Sequence, residues 1–332
     1  MKDIADDLGV SLMTVSKALR GHTDISEATR ERILRRAQQL KYQPNWIARS
    51  LVTRQTYIVG LVIPDLMHSF FAEVANGLTK ELAPLGYQIV LANSAENAAT
   101  ERREVELLLA RSVDGFVVAS AQSDWSRSLP HLLKNSDTPY VLIDRMPAGV
   151  NVNFVGTRDE DLGQLATNHL LEQGCLQLAH IRGPDNPNGS RRLKGFQLAM
   201  QKSGRKLQAQ YVVEGGTGDE GGYRAMRDLL RLKRPPDGVF CYNDPVAAGA
   251  IKAVLESGAR IPQDVAIIGA GNVHYSDLLR VPLSTIDQSA TQMGEMAANM
   301  LVDCMRAKTA PVPRCTLIPP RLVVRESSRR RP

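Results

Sequence analysis

Residues 2–19 read KDIADDLGVSLMTVSKAL, and the apolar residues in this stretch follow the spacing of helices. Ile4, Ala5 and Leu8 share one helical face, because residues one and four positions apart lie on the same side. Gly9 follows at once, and glycine is the residue that most easily adopts the left-handed backbone that ends a helix. The stretch therefore predicts a short helix followed by a turn at Gly9.

A second helix is predicted from Leu12 to Leu19, where Ser11 can cap the first turn and Val15 points inward. The spacing of Ala5, Gly9 and Val15 is that of a helix-turn-helix. In this motif a small residue lets the helices approach, glycine makes the turn and an aliphatic residue locks the second helix. By itself this spacing also fits any small helical hairpin.

A third helix is predicted from Glu27 to Lys41, with Ser26 as its cap and an acidic first turn that suits the helix dipole. The apolar face expected for this helix consists of Ile33, Leu34, Ala37 and Leu40.

The net charge of +6 is distributed unevenly along the 332 residues. Residues 1–55 hold ten Lys/Arg and six Asp/Glu, and residues 321–332 also have a net charge of +4. The remaining 265 residues have a net charge of −2. A basic head on a nearly neutral body is typical of a nucleic-acid reader attached to another module.

Several protein classes are disfavoured by composition. Hydrophobic residues make up 43% of the chain and charged residues 23%, which indicates a globular protein. No apolar run reaches the roughly 18 residues of a membrane span, and the acidic start does not resemble a signal peptide, so we expect a cytoplasmic protein. The six histidines and four cysteines show no H-x-x-x-H or C-x-x-C spacing, so no metal site or cofactor is expected; the cysteines are Cys175, Cys241, Cys304 and Cys315.

After Thr56 the chain alternates apolar strand-like runs with amphipathic helical stretches. The runs recur every 26–33 residues, and they begin at Tyr57, Tyr87, Asp114 and Tyr140, and again at Gln177, Gln210, Gly238 and Val265. Strand, helix and strand at this interval predict right-handed βαβ units and parallel sheets. Two such series predict an α/β fold with two lobes and a ligand between them, at the carboxyl ends of the strands.

Polar and aromatic residues cluster where these strands end. A polyol site needs carboxylates, amides and guanidinium groups around an aromatic surface, and the strand ends supply each type. The candidate effector-binding residues at these strand ends are Asp65, Phe70, Phe71, Asp144, Arg192 and Asn243, and Arg145 follows the same strand as Asp144. Asp244 is interpreted as a helix cap rather than a ligand contact.

The chain resembles the lactose repressor (LacI/GalR) family of bacterial transcription regulators. The resemblance rests on motifs in the order and spacing of that family: Lys2-Asp3-Ile4-Ala5, Gly9-Val10-Ser11, Thr14-Val15-Ser16, Ser26-x-x-Thr29-Arg30, Ala48-Arg49-Ser50-Leu51, Arg192-Leu193-x-Gly195-Phe196 and Asn243-Asp244-x-x-Ala247-x-Gly249-Ala250. It implies a helix-turn-helix DNA-binding domain at 1–43, a hinge at 44–56 and a core at 57–332 that resembles a periplasmic binding protein. The first lobe would comprise 57–156 and 287–316, and the second 157–286 and 317–332.

The resemblance also implies a homodimer that binds palindromic operator DNA. Leu12, Met13 and Lys17 would enter the major groove, while Thr14 and Ser16 would hold phosphates or neighbouring base edges. The hinge would meet the minor groove, where Leu51 would wedge between base pairs. The hinge residues expected at DNA are Asn45, Ala48, Arg49 and Leu51.

Two departures from the family pattern stand out. Gly271 lies where the family commonly has an aspartate that binds effector hydroxyls, so Asn272 is expected to act instead. Met1 lies where the family has a Ser or Thr cap, so either the cap is missing or the true start lies upstream. The family's effector contacts fall on Arg192 and Asn243, and a sugar, sugar acid or sugar phosphate is expected there.

The function predicted from the sequence is therefore a repressor of carbohydrate-utilisation genes, not an enzyme and without catalytic residues. Two alternatives remain open at this point. One is a solute-binding protein with no DNA role. The other is a nucleotide-dependent α/β enzyme, because residues 216–221 fit G-x-G-x-x-G, although Asp219 and Glu220 would repel a pyrophosphate there.

Overall fold

The computed structural model describes residues 1–19, 21–42, 50, 55–122, 128–147, 149–307, 309 and 311–330. The chain divides into two compact units, Met1–Thr56 and Tyr57–Pro332. The expected hinge contacts Asn45, Ala48, Arg49 and Leu51 lie outside the described residues.

The first unit contains three helices, α1 (Lys2–Leu8), α2 (Leu12–Leu19) and α3 (Glu27–Gln39). Gly9 ends α1 with a φ of 62°, in the left-handed conformation that the sequence predicted. The backbone N–H of Thr14 donates to Ser11 Oγ at 3.0 Å, so Ser11 caps α2 as expected. The small core of this unit consists of Ile4, Ala5, Val15, Ala18, Ile33 and Ala37.

The apolar face predicted for α3 is partly wrong. Ile33 and Ala37 are buried, but Leu34 is 44% exposed and Leu40 is 40% exposed. Ile33 and Ala37 are four residues apart and share a face, whereas Leu34 lies about 100° further around the helix. Leu40 comes after the last residue of α3, where the helical spacing no longer applies.

The second unit contains two six-stranded sheets. The strands are β1 (Ile58–Ile63), β2 (Gln88–Asn93), β3 (Gly115–Val118), β4 (Tyr140–Ile143), β5 (Phe154–Thr157), β6 (Leu178–Arg182), β7 (Val212–Glu214), β8 (Gly238–Cys241), β9 (Ala266–Gly271), β10 (Ser284–Asp287), β11 (Cys315–Ile318) and β12 (Arg321–Val323). The helices are α4 (Ser69–Leu82), α5 (Ala98–Ala110), α6 (Ser128–Asn135), α7 (Asp159–Glu172), α8 (Pro187–Lys202), α9 (Asp219–Leu230), α10 (Asp244–Glu256) and α11 (Ala290–Arg306). Short 3₁₀ turns lie at Ala83–Leu85 and Ala209–Tyr211.

The strand order is β11-β5-β4-β3-β1-β2 in the first sheet and β12-β10-β9-β8-β6-β7 in the second. The strand pairs run parallel except that β12 runs antiparallel to β10. We call the first sheet with α4, α5, α6 and α11 the first lobe, and the second sheet with α7–α10 the second lobe. The two-lobed α/β fold of parallel sheets with a helix-turn-helix head, which the sequence predicted, is confirmed.

The chain crosses between the sheets three times, after β5, after β10 and between β11 and β12. The last crossing differs from the expectation that the second lobe resumes at 317. Leu317 pairs with Gly156 and Ile318 pairs with Thr157, so both residues belong to the first sheet. The parallel register of β11 with β5 holds the chain in the first lobe until it has passed Ile318.

Six glycines lie where helices cross at close range. A methyl group on any of them would overlap a backbone carbonyl of the facing helix. They form three reciprocal pairs: Gly77 and Gly294 between α4 and α11, Gly163 and Gly195 between α7 and α8, and Gly222 and Gly249 between α9 and α10. Each helix pair therefore packs backbone to backbone, which fixes the position of the helix ends that face the neighbouring lobe.

Within the described part of the chain, no helix has the length and apolar character needed to cross a membrane.

Candidate functional site

A narrow cleft lies between the carboxyl ends of the two sheets. Most of its lining side chains come from loops that follow a strand, as expected for a ligand site in parallel sheets. The first lobe contributes Asp65, His68, Phe70, Phe71, Glu96, Asp144 and Arg145, the second contributes Asn188, Arg192, Thr217, Tyr242 and Asn243, and Gln288 follows β10.

Arg192 is buried at the second-lobe wall of the cleft and is held by three partners. Its Nε donates to Asp159 Oδ1 at 2.8 Å, Nη1 donates to the Tyr242 carbonyl at 2.7 Å, and Nη2 donates to Gln288 Oε1 at 2.6 Å. The guanidinium also lies 4.8 Å from the centre of the Tyr242 ring. Burial raises the pKa of Asp159 to about 6, against the opposing effect of the Arg192 charge.

Arg145 is the corresponding cation of the first-lobe wall. Its Nη1 and Nη2 donate to the two carboxylate oxygens of Glu96, each at 2.6 Å. Burial by itself would lower the pKa of Arg145, but hydrogen bonding to Glu96 and the nearby charges raise it. Both cleft arginines are therefore fully charged and already paired with carboxylates of the chain.

Among the described residues, four hydrogen-bonding contacts join the two lobes around the cleft. Two of them involve the end of β4: Asn188 Nδ2 donates to Asp144 Oδ1 and Arg191 Nη2 donates to the Met146 carbonyl, both at 3.0 Å. At the opposite side, the backbone N–H of His274 donates to Glu73 Oε1 at 3.0 Å. The fourth contact joins Asn243 to His68. These contacts hold the lobes in one relative position.

Asn243 has two roles in the second lobe. Its Oδ1 accepts from the backbone N–H of Val246 at 2.9 Å and caps α10. Its Nδ2 donates to the Thr217 carbonyl at 2.9 Å and lies 3.1 Å from His68 Nε2. Burial lowers the pKa of His68, so this imidazole is neutral at physiological pH.

Two aromatic rings form the apolar part of the cleft. Phe70 and Phe71 are buried in the first turn of α4, with ring centres 5.2 Å apart and planes at 83°. His68 meets both of them edge-on. The rings can support the apolar face of a sugar while the surrounding polar groups bind its hydroxyls.

A separate exposed surface lies on α2 of the head. Leu12 is 52% exposed and Met13 is 63% exposed, which is unusual for apolar residues on a helix that also buries Val15. Lys17 forms an ion pair with Asp24 on the same unit. Thr14 Oγ1 lies 2.9 Å from Ser11 Oγ, so this hydroxyl faces the start of α2.

Comparison with known proteins decides the family. Residues 1–45 match the model of bacterial regulatory proteins of the lacI family, and residues 167–328 match a periplasmic binding protein-like domain. The HTH-type transcriptional repressor PurR of Haemophilus influenzae is 33% identical over 331 residues, which cover 98% of each chain. The chain belongs to the LacI family of bacterial regulatory proteins.

Solved structures agree with this assignment. A complex of the transcriptional regulator CelR with cellobiose is 30% identical, with a TM-score of 0.75 and 98% of each chain covered. The lac repressor dimer bound to operator and the anti-inducer ONPF shares the fold at 24% identity, with a TM-score of 0.86 and 98% of each chain covered. The chain is thus a DNA-binding transcriptional repressor of the LacI family, and neither the enzyme nor the solute-receptor alternative holds.

Position 271, at which the chain departs from the LacI-family pattern, has a backbone conformation that suits glycine. Gly271 has a φ of 138°, a backbone conformation that residues with a side chain rarely adopt. Next to it, the Asp244 carboxylate accepts from Thr285 Oγ1 at 2.6 Å, Ser276 Oγ at 2.8 Å and the Val273 N–H at 3.0 Å. Asp244 is therefore a buried structural anchor, and the interpretation of Asp244 as a helix cap is wrong because Asn243 caps α10.

Asn272 is the one predicted effector contact that does not line the cleft of this LacI-family core. Its Oδ1 accepts from Arg325 Nη2 at 2.8 Å, and its backbone N–H donates to Thr285 Oγ1 at 3.3 Å. These contacts hold the side chain within the second lobe. The other six predicted residues all line the cleft: Asp65, Phe70, Phe71, Asp144, Arg192 and Asn243.

Several cleft residues were not predicted from the sequence. Glu96 and Gln288 follow strands, so their position at a strand end was the sequence feature that could have predicted them. Asn188 lies in the first turn of α8, and His68 lies just before α4. The cleft residues that the sequence reasoning missed are His68, Glu96, Asn188, Thr217, Tyr242 and Gln288.

Proposed function

We propose that this LacI-family protein represses carbohydrate-utilisation genes in the cytoplasm, as a homodimer on a palindromic operator. A small sugar-like effector in the cleft between the lobes would control DNA binding. The observation that carries the proposal is the cleft itself, in which amide, carboxylate and guanidinium groups surround the Phe70–Phe71 pair. Two solved relatives support a sugar: the CelR complex contains cellobiose, and a LacI family regulator from Enterococcus faecium that is 26% identical contains ribose.

The DNA contacts are proposed for α2 and the segment that follows the head. The exposed Leu12 and Met13 would meet base edges and thymine methyl groups, and Lys17 would read a guanine after it leaves Asp24. Hydroxyl groups suit phosphate oxygens, which fix the register of the head without reading sequence. The remaining proposed contacts are Thr14, Ser16, Asn45, Ala48, Arg49 and Leu51.

The effector would act through the contacts that join the lobes. A ligand shifts an equilibrium between two forms only by its differential affinity for them. A sugar between Asn243, Asp144 and the phenylalanine pair would compete with, or add to, the four lobe-joining contacts. Its binding free energy would therefore depend on the relative position of the lobes, and this position is what the DNA-binding form would sense.

The test uses a substitution that removes the Asn243 amide but keeps a helix cap. Asn243→Ser retains a side-chain oxygen for α10, since serine is a good N-cap. A panel of sugars would first be screened by thermal shift, and operator affinity would then be measured with and without the sugar that binds. We expect the variant to need roughly 10- to 100-fold more sugar for the same response, the effect of one or two lost hydrogen bonds.

The matched control is Asn97→Ser, because Asn97 caps α5 in the same way outside the cleft. This variant should respond to the sugar like the parent. An unchanged sugar response in Asn243→Ser would remove Asn243 from the effector site, and a panel without any effect on operator binding would contradict the proposed function.

A further inference from the structure

The cleft contains more negative than positive side chains. Asp65, Glu96 and Asp144 line it, and Asp159 lies directly behind Arg192. Among the described lining residues, Arg145 and Arg192 are the cations, and His68 is neutral because burial lowers its pKa. A ligand with a phosphate or carboxylate group would therefore enter a site whose formal charge is already negative.

Glu96 forms an ion pair with the Arg145 guanidinium in the way that an anionic ligand would. Its two oxygens accept from Nη1 and Nη2 at 2.6 Å each, the bidentate geometry by which arginine binds carboxylates and phosphates. The Arg145 side chain is 5% exposed and that of Glu96 is 34% exposed. Glu96 is thus the more exposed partner of the pair, and its carboxylate holds both terminal nitrogens of the guanidinium.

The loop that carries Glu96 is held in a costly conformation. Ala95 has a φ of 50° and Glu96 a φ of 55°, so two consecutive non-glycine residues are in the left-handed region. The Glu96 N–H donates to the Pro64 carbonyl at 2.9 Å and the Ala95 N–H donates to Asn93 Oδ1 at 3.3 Å, which keeps the loop in place. Such strain persists where the surrounding structure enforces one position of a side chain, and here that side chain is Glu96.

The polar atoms that remain free suit a hydroxyl group. Among the described residues, Arg145 Nε and Asn188 Oδ1 are buried without a hydrogen-bond partner, and both residues line the cleft. Arg145 Nε is a donor that lies 3.7 Å from Asp144 Oδ2, beyond hydrogen-bond distance, and Asn188 Oδ1 is an acceptor. A hydroxyl group can serve either atom because it both accepts and donates, whereas an ionised carboxylate can serve only the donor.

We propose that Glu96 sets the effector class: it acts as an internal anion on Arg145, so the cleft takes an uncharged hydroxylated molecule and rejects sugar phosphates and sugar acids. This inference rests on the proposed function only in placing the effector in this cleft. Of the three effector classes that the sequence left open, which are sugars, sugar acids and sugar phosphates, the inference keeps only uncharged sugars.

The experiment probes the cleft with inorganic phosphate, so it does not require the effector to be known. Melting temperatures of the full-length parent, Glu96→Gln and Glu214→Gln would be measured with sodium phosphate and with sodium chloride at equal ionic strength. Glu214→Gln is the matched control, because Glu214 pairs with Arg182 outside the cleft, at 2.7 Å. We expect phosphate to bind Glu96→Gln at least tenfold more tightly than it binds the parent or the control, since the freed guanidinium binds phosphate. Phosphate should therefore raise the melting temperature of Glu96→Gln more than that of the other two proteins.

A double variant, Glu96→Gln with Arg145→Gln, tests whether the guanidinium binds the phosphate. This variant should lose the extra stabilisation by phosphate that Glu96→Gln shows. The proposal is overturned if phosphate raises the melting temperature of the parent as much as that of Glu96→Gln. It is also overturned if phosphate does not raise the melting temperature of Glu96→Gln, or if it raises that of the double variant by the same amount. Failure of the sugar panel to alter operator binding would instead contradict the proposed function, and the phosphate result would still decide the role of Glu96.

Discussion

At the scale of single residues, the sequence predicted which side chains reach the cleft better than it predicted their partners. Asn243 could be placed at the cleft because it follows a predicted strand, and both Arg192 and Asn243 because they match effector contacts of the LacI family. The partner of Arg145 could not be predicted. Glu96 reaches Arg145 from a loop with left-handed backbone conformations, and no residue type in that loop indicates such a conformation. Contacts such as Asn243 with His68, 175 residues apart in the chain, depend on how the lobes pack.

Arg192 should be essential for the stability of the core as well as for the cleft. Arg192→Ala would leave the Asp159 carboxyl, whose side chain is 1% exposed, without its ion-pair and hydrogen-bond partner, a loss of about 3–5 kcal/mol in the free energy of unfolding. Arg182→Ala removes an arginine from a largely exposed pair and should cost at most about 1 kcal/mol. Urea unfolding of both variants tests this, and equal losses would mean that the Arg192–Asp159 pair adds little to stability.

His180 should make the core sensitive to acid. The ring is fully buried and stacked on Phe240, and Nδ1–H donates to the Phe240 carbonyl at 2.9 Å. Nε2 has no hydrogen-bond partner among the described residues. Burial lowers the pKa of His180 to about 4, so the unfolded chain binds a proton at higher pH than the folded protein does.

Because the folded pKa is depressed, this contribution to stability is complete above about pH 6.5 and is lost as the pH falls towards 4. The loss amounts to about 3 kcal/mol. His180→Phe should flatten the dependence of unfolding free energy on pH in this range by a similar amount. Chemical unfolding at pH 7, 5.5 and 4.5 measures it, and parallel pH profiles for parent and variant would rule out a role for His180.

At the scale of secondary-structure elements, periodicity predicted the three helices of the head to within two residues at each end, and eight of the twelve core strands to within two residues of their first residue. The periodicity did not predict β5, β10, β11 and β12: β5 and β10 are short and buried, and β11 and β12 are short and partly exposed, so none of them carries a clear alternating pattern. It also could not show which glycines mark helix crossings, because a glycine within a helix has the same sequence signature whether or not another backbone lies against it.

The reciprocal glycine pairs predict large effects from a single methyl group. Gly195→Ala would push α8 away from α7, because the added methyl overlaps the Glu160 carbonyl. We expect a loss of about 1–3 kcal/mol in unfolding free energy, typical of overpacking, although alanine favours a helix by up to about 1 kcal/mol. The measurement is again urea unfolding.

Gly218→Ala serves as the control for this substitution, because a methyl group there meets no atom within 4 Å. Its effect should stay within about 1 kcal/mol, the range of an N-cap change. If Gly195→Ala were as stable as Gly218→Ala, the helices would have room to move apart, and the close crossing would not be a constraint on the second lobe.

At the scale of the whole molecule, the uneven charge and the order of motifs predicted a DNA-binding head on an effector-binding core. The family could be inferred from the sequence because its motifs are fixed by turns, caps and close crossings, which tolerate few residue types. The identity of the effector could not be inferred from the sequence, since it depends on how the polar groups of the cleft pair with one another across the two lobes.

Operator binding by the full-length protein tests the central claim most directly. A DNA site would be selected from random sequence, and its affinity measured at 50 and 200 mM salt. Two basic heads on one palindrome would each hold several phosphates, so we expect a site with two-fold symmetry and an affinity that falls by roughly 10³ or more between the two salt concentrations. Selection of no preferred sequence, or of an asymmetric site with flat salt dependence, would contradict the account.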